Sequence, residues 1–175
     1  MFDSHTHTSA SHDANCPAEA LCDAAVQRGL RGVTITDHCD MEYCKEQNMP
    51  LLVSHSVQEA LRVREKYASR LNVLLGVEIG EGFWFPKETA EITASFPFDA
   101  VLGSVHAVRL EGLSMPYSLI DFSGFSVAAL RQLLSQYFED MLAMAEEMDF
   151  DILTHLTCPL RYINGKYRKN ISYAP

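Results

Sequence analysis

No apolar run in the sequence is long enough to cross a bilayer; the longest, such as Val73 to Val77, fall far short of the roughly 20 residues a spanning helix needs. No basic leader with an apolar core precedes the first apparent strand, so the chain is expected to be cytoplasmic. Basic residues are scarce: 14 Lys+Arg stand against 23 Asp+Glu, a net charge of -9. That balance gives no footprint for nucleic acid or an anionic membrane, although bound metal ions can supply positive charge where a phosphate must sit. The five cysteines (Cys16, Cys22, Cys39, Cys44, Cys158) are odd in number and lack CxxC spacing, which argues against a disulfide framework or a zinc ribbon and for reduced thiols. There is no G-x-S-x-G, no P-loop, no low-complexity segment, no linker and no repeat. A single domain over residues 1–175 is expected.

What is present is an ordinary globular mixture, 47% hydrophobic and 21% charged, which excludes disorder, collagen and coiled coil. Short apolar runs alternate with amphipathic stretches. Strands are predicted at Met1 to Ser4, Gly32 to Thr36, Val73 to Val77, Ala100 to Gly103 and Asp151 to Thr154. Helices are predicted at Pro17 to Gln27, with Gly29 just past the end, and at Val57 to Leu71, on the stripe Val57, Leu61, Arg64 and Ala68 beside Ala60 and Tyr67. A short helix near Glu88 to Ala94 follows. A long one at Val127 to Met148 carries Leu130, Leu133, Leu134, Tyr137, Met141, Met144 and Ala145 on one side. Strand, crossover helix, strand is an α/β order built on parallel pairing; it leaves open whether the sheet is flat or closed.

Each predicted strand runs into a histidine or a carboxylate. The first leads to His5-Thr6-His7, the second to Thr36-Asp37-His38 and the third to Glu78; the fourth leads to Ser104-Val105-His106 and the fifth to Thr154-His155. In a parallel (β/α) barrel these ends share one face, where such barrels keep their active sites. Neutral imidazole and carboxylate are the ligands of zinc, manganese and iron. A His-x-His pair on a strand places both rings on the same side, and Glu78, directly after a buried strand, suits a group shared between cations. Two of the seven histidines are expected to stand apart. His55 reads as a surface or capping residue, and His12 is a weaker ligand than the neighbouring Asp13.

His5-Thr6-His7-Thr8, Ser9 to Asp13, Thr36-Asp37-His38, Gly76-Val77-Glu78, Ser104-Val105-His106 and His155 together resemble the polymerase-and-histidinol-phosphatase (PHP) superfamily. Gly103 to His106 after Phe98-Asp99, and His155 followed by Arg161-Tyr162, resemble its bacterial histidinol-phosphate phosphatase branch. The resemblance runs from residue 3 to about residue 165. It implies a distorted (β/α)7 TIM-like barrel and two or three divalent metal ions, zinc, manganese or iron. It implies that His5, His7 and Glu78 hold the first, Glu78, His106 and His155 the second, and Asp13 and His38 the third. One departure is large: the family's later Asp-x-His motif, which supplies ligands to the first and third metals, has no counterpart after His155. About five strands are expected where the family needs seven, so the barrel is expected to be incomplete. An open five-stranded sheet predicts that its edge pairs with another copy of the chain, or poor stability, or both.

The reaction this implies is hydrolysis of a phosphate monoester, with metal ions clamping the phosphoryl oxygens and lowering the pKa of a bound water to give the nucleophile. Arg161 is the expected phosphate clamp, because a guanidinium matches phosphate oxygens two at a time; Arg109 is a weaker candidate. Asp37 is expected to serve the catalytic centre by orienting a ligand histidine or binding solvent. The resemblance implies L-histidinol phosphate as substrate and L-histidinol as product, in histidine biosynthesis. Other readings are a PHP phosphoesterase acting on a nucleotide, a sugar phosphate or a nucleic-acid end, and a truncated, non-catalytic remnant.

Overall fold

A computed structural model describes residues 1–44, 46–110 and 113–172; the last three residues of the expected domain lie outside them. The chain runs β1 (Phe2–Thr6), α1 (Ala18–Gln27), β2 (Gly32–Ile35), β3 (His38–Asp40), α2 (Met49–Tyr67), β4 (Asn72–Gly80), α3 (Pro86–Ser95) and β5 (Ala100–Ser104). It continues through β6 (Ala107–Leu110), β7 (Leu113–Pro116), α4 (Val127–Glu147), β8 (Ile152–Leu153) and a short α5 (Cys158–Leu160) that leads into a π-helical turn over Arg161–Lys166.

The five predicted strands are the five members of one parallel path, β1-β2-β4-β5-β8. Their order follows from composition. β2 is buried along its whole length and β4 along nearly all of it, as strands covered on both faces must be; Val33, Thr34 and Ile35 fill β2, and Val73, Leu74, Leu75, Val77 and Ile79 run through β4. β4 is longer than predicted: it extends three residues to Gly80, because β3, the continuation of β2 past a break at Thr36-Asp37, pairs with that extension. Register there sets His38 beside Glu78 and Asp40 beside Gly80. The antiparallel hairpin β6–β7 was not expected from the sequence.

Helix α1 starts after Pro17 and ends before Gly29, whose φ of 69° lets the Leu30 amide turn back to the Ala25 carbonyl. Helix α2 begins eight residues earlier than predicted, with Pro50 in its first turn, and buries Val53, Ser56, Val57, Ala60, Val63 and Tyr67. Leu61, predicted on that stripe, is exposed. In α4 the buried stripe is as predicted except that Asp140 takes the place of Ala145. One apolar core lies where α1 and α2 cover the sheet; a second gathers α4, Tyr117, Phe122 and Ile163. Strand β8 is two residues long, and Ile152, Leu153 and Leu156 beside it are all more than a third exposed.

Candidate metal centre

The C-terminal ends of the parallel strands open on one cavity of about 740 Å³. His5, His7, His12, Asp13, His38, Asp40, Glu81, His106, His155 and Arg161 are in its wall. Glu78, fully buried, is the hub beneath them. Its Oε2 stands 3.3 Å from His5 Nε2, 3.4 Å from His7 Nε2 and 3.2 Å from His38 Nδ1. Its Oε1 stands 3.0 Å from His155 Nε2 and 3.3 Å from His106 Nε2. Asp13 Oδ1 reaches His38 Nε2 at 3.5 Å.

These separations suit cations better than hydrogen bonds. His5 and His7 bring Nε2 to Nε2 at 3.0 Å, and His106 and His155 do so at 3.2 Å. Oε2 of Glu78 and Nδ1 of His38 are buried and make no hydrogen bond although they face each other. Neighbouring ligands of a tetrahedral site with metal–nitrogen bonds of about 2.0–2.1 Å stand about 3.3 Å apart, the spacing seen here. Among the described residues, four groups of three have all their donor atoms within 4.8 Å: His5-His7-Glu78, Glu78-His106-His155, His7-Asp13-His38 and His38-Asp40-His106. The donor set, imidazole and carboxylate, suits divalent zinc, manganese or iron.

Electrostatics agree with ionised acids among these imidazoles. Burial opposes the charge on Glu78, but His106, His155 and His5 hold its carboxyl well below the usual range. Burial likewise opposes Asp40, and His106 with His38 brings it down. His7 is lowered by burial and by His38. His106 is raised well above the usual imidazole value despite burial, by Asp40 and Glu78.

A model of the PHP domain matches residues 3–174. The chain belongs to the PHP domain family. It is 31% identical over 163 residues to a probable histidinol-phosphatase of Clostridium acetobutylicum, covering 93% of this chain and 59% of that protein. It is 28% identical over 165 residues to a probable histidinol-phosphatase of Deinococcus radiodurans, covering 93% and 62%. The chain thus spans about three fifths of the length of these curated relatives. Among solved structures, the histidinol phosphate phosphatase of Lactococcus lactis, crystallised with zinc, L-histidinol and phosphate, matches with a TM-score of 0.69 at 20% identity, over 91% of this chain and 59% of that one. The parallel sheet is accordingly part of a PHP-type TIM-like barrel.

Within this PHP domain the structure brings His5, His7, Asp13, His38, Glu78, His106 and His155 to the cavity or its floor, together with Arg161. His12 joins them as a stacked ring 4.9 Å from His38, and His55 is exposed on α2, away from the cavity. Two expected residues lie elsewhere. Arg109 lays its guanidinium 3.9 Å over the Trp84 ring and is not in the cavity wall, because β6 turns it toward that face. Asp37 is buried outside the cavity wall, its oxygens taken by the Thr8 amide (2.6 Å) and the hydroxyls of Thr8 (2.8 Å), Ser11 (2.7 Å) and Ser56 (2.5 Å). Its connection to the site is indirect: Ser11 Oγ accepts the His38 amide and lies 3.4 Å from His7 Nδ1.

Asp40 and Glu81 were missed. Asp40 Oδ1 lies 2.8 Å from His106 Nδ1, and an ionised carboxylate only accepts, so Nδ1 carries the proton and Nε2 is turned toward Glu78 and His155. A carboxylate behind a ligand imidazole fixes its tautomer and its angle. The signal was legible, since Asp40 follows His38 by two residues on a strand and shares its face. Glu81 gives no periodic signal, because the chain leaves β4 there with a φ of 54°.

Proposed function

We propose that this chain is a metal-dependent phosphomonoesterase of the histidinol-phosphate phosphatase type, hydrolysing L-histidinol phosphate to L-histidinol and phosphate in the cytoplasm. The observation that carries the reading is the convergence of five imidazoles on the two oxygens of one buried carboxylate, with an arginine in the same cavity wall. The relatives' names supply the substrate.

His5, His7 and Glu78 would hold one divalent cation; Glu78, His106 and His155 would hold a second, and Asp13 with His38 and His7 a third. Cations there would draw charge from the phosphoryl oxygens and supply an ionised water as nucleophile. The remaining work belongs to the chain. Asp40 keeps the His106 proton on Nδ1. Asp37 fixes the Thr8–Ser11 loop, and through Ser11 the setting of His7 and His38. Arg161, on the π-helical turn after α5, would bind phosphate oxygens through two parallel N–H groups. All five cysteines are described and no disulfide joins them, and no helix among the described residues is long and apolar enough to cross a membrane.

Phosphate release decides the reading. The protein, supplied with zinc, manganese or iron(II), is given L-histidinol phosphate, a sugar phosphate, a nucleotide and a single-stranded oligonucleotide carrying a terminal phosphate. Preferential release from histidinol phosphate is expected. Preference for the oligonucleotide would replace the substrate, and no release from any ester by metal-loaded protein would sink the enzyme reading.

A further inference from the structure

Glu81 belongs to none of the candidate ligand groups, yet it is wholly inaccessible to solvent at the end of β4. Its left-handed φ of 54° is sparsely populated for a residue with a side chain, and such a conformation persists only where its surroundings enforce it. Those surroundings are the corner between β5 and β6. The Glu81 amide donates to the Ser104 carbonyl at 3.1 Å. Its Oε1 accepts both the His106 amide and, at 2.8 Å, the Ala107 amide. One carboxylate oxygen thus holds two consecutive main-chain N–H groups at the residue that carries the imidazole, while Oε2 is buried without a partner.

We propose that Glu81 is a positioning residue that sets His106 for metal binding by pinning its backbone, an inference that rests on His106 being a ligand. His106 is then held through both its main chain and its ring. Glu81 fixes the main chain, Asp40 fixes Nδ1, and Nε2 is left aimed at Glu78 and His155. The fixed main chain matters because His106 lies in the link between β5 and β6, where its carbonyl accepts the Tyr117 amide at 2.9 Å but its own amide has Glu81 as partner. Without the acceptor, the part-buried His106 amide and the buried Ala107 amide lose their partner and the corner must shift to find another.

Cobalt(II) titration, followed by its visible absorption, tests this on the native protein, Glu81→Gln, Glu81→Met and His106→Ala. Glutamine keeps an acceptor oxygen; methionine keeps the volume and removes it. Expected is binding by Glu81→Gln within about threefold of native. In Glu81→Met, the binding step lost in His106→Ala should weaken about 10- to 100-fold, the range for removing a partner that supports a ligand. Native-like binding by Glu81→Met overturns the proposal, as does equal loss in both Glu81 variants, which would make charge and not the acceptor the cause. Loss of folded Glu81→Met by circular dichroism overturns it too, by making Glu81 a residue of the fold. A native protein that binds no cobalt fails the metal reading itself and the proposal with it, a result visible without any variant.

Discussion

Asp40 reaches His106 across Gly80, and it can do so because Gly80 has no side chain. Register sets Asp40 beside Gly80 on β3–β4, and Gly80 beside Ser104 on β4–β5. A methyl group on Gly80 would stand 2.3 Å from Asp40 Oδ1 and 3.1 Å from His106 Nδ1. Gly80→Ala should therefore push the carboxylate off the imidazole while leaving every candidate ligand in the sequence. Metal affinity measured by calorimetry should fall about tenfold, as when a ligand histidine loses its carboxylate partner. Unchanged affinity in a folded Gly80→Ala protein would show that Asp40 does not orient His106.

Glu78 touches two imidazole sets at once, so its loss should cost more metal than the loss of a histidine that serves one site. Metal content by elemental analysis after dialysis should fall by two ions in Glu78→Gln. It should fall by one in His155→Ala, which serves only the Oε1 side. His55→Ala, on the exposed face of α2, should keep the native content. Loss in the His55 variant equal to that in His155→Ala would break the assignment.

The five parallel strands were legible because each is a short apolar run that ends in a chemically distinctive residue, and a parallel sheet puts all such ends on one side. Length was harder to read. Met49 to Ser56 carries Ser54, His55 and Ser56, which looks like loop, yet Pro50 starts a helix there, and Ser56 faces inward because it donates to Asp37. Hairpin β6–β7 has two four-residue arms, too short for alternation to announce them. Asp140 was passed over on α4 because a carboxylate on a buried stripe violates the pattern; Gln136, one turn earlier, donates to it at 3.1 Å. Asp37 is expected to orient a ligand histidine or bind solvent; adjacent residues of an extended chain point to opposite sides, so it reaches His7 and His38 only through Ser11. It therefore faces the loop and α2, not the cavity.

That orientation makes Asp37 a test of stability before it is a test of chemistry. Its carboxylate ties the end of β2 to Thr8, Ser11 and Ser56, joining three segments far apart in sequence. A hydrogen bond to a charged group contributes about 1.5–3 kcal/mol, and removing a shared buried acceptor strands its donors. Asp37→Ala should cost about 3 kcal/mol, which for a chain of this size is a fall in Tm of roughly 6–12 °C. The fall should appear in metal-free protein, measured with chelator present. A loss of Tm confined to metal-loaded protein would instead tie Asp37 to the cations.

Arg161 offers the cleanest separation of substrate binding from metal binding. Its guanidinium lies 5.9 Å from the Tyr162 ring centre and in the cavity wall with His155, Thr157 and Cys158, but it belongs to no ligand group. Arg161→Ala should leave metal content native and lower kcat/KM for histidinol phosphate about 100-fold, the order seen when one donor to developing negative charge is removed. Arg161→Lys should recover little of this, because an ammonium is a point charge and cannot offer two parallel N–H groups to a phosphate. Competitive inhibition by inorganic phosphate should weaken in parallel, since under the proposed function product and substrate would share that end of the cavity. If both variants turn over like the native protein, the phosphate is held without Arg161, and the metal ions alone must fix its orientation.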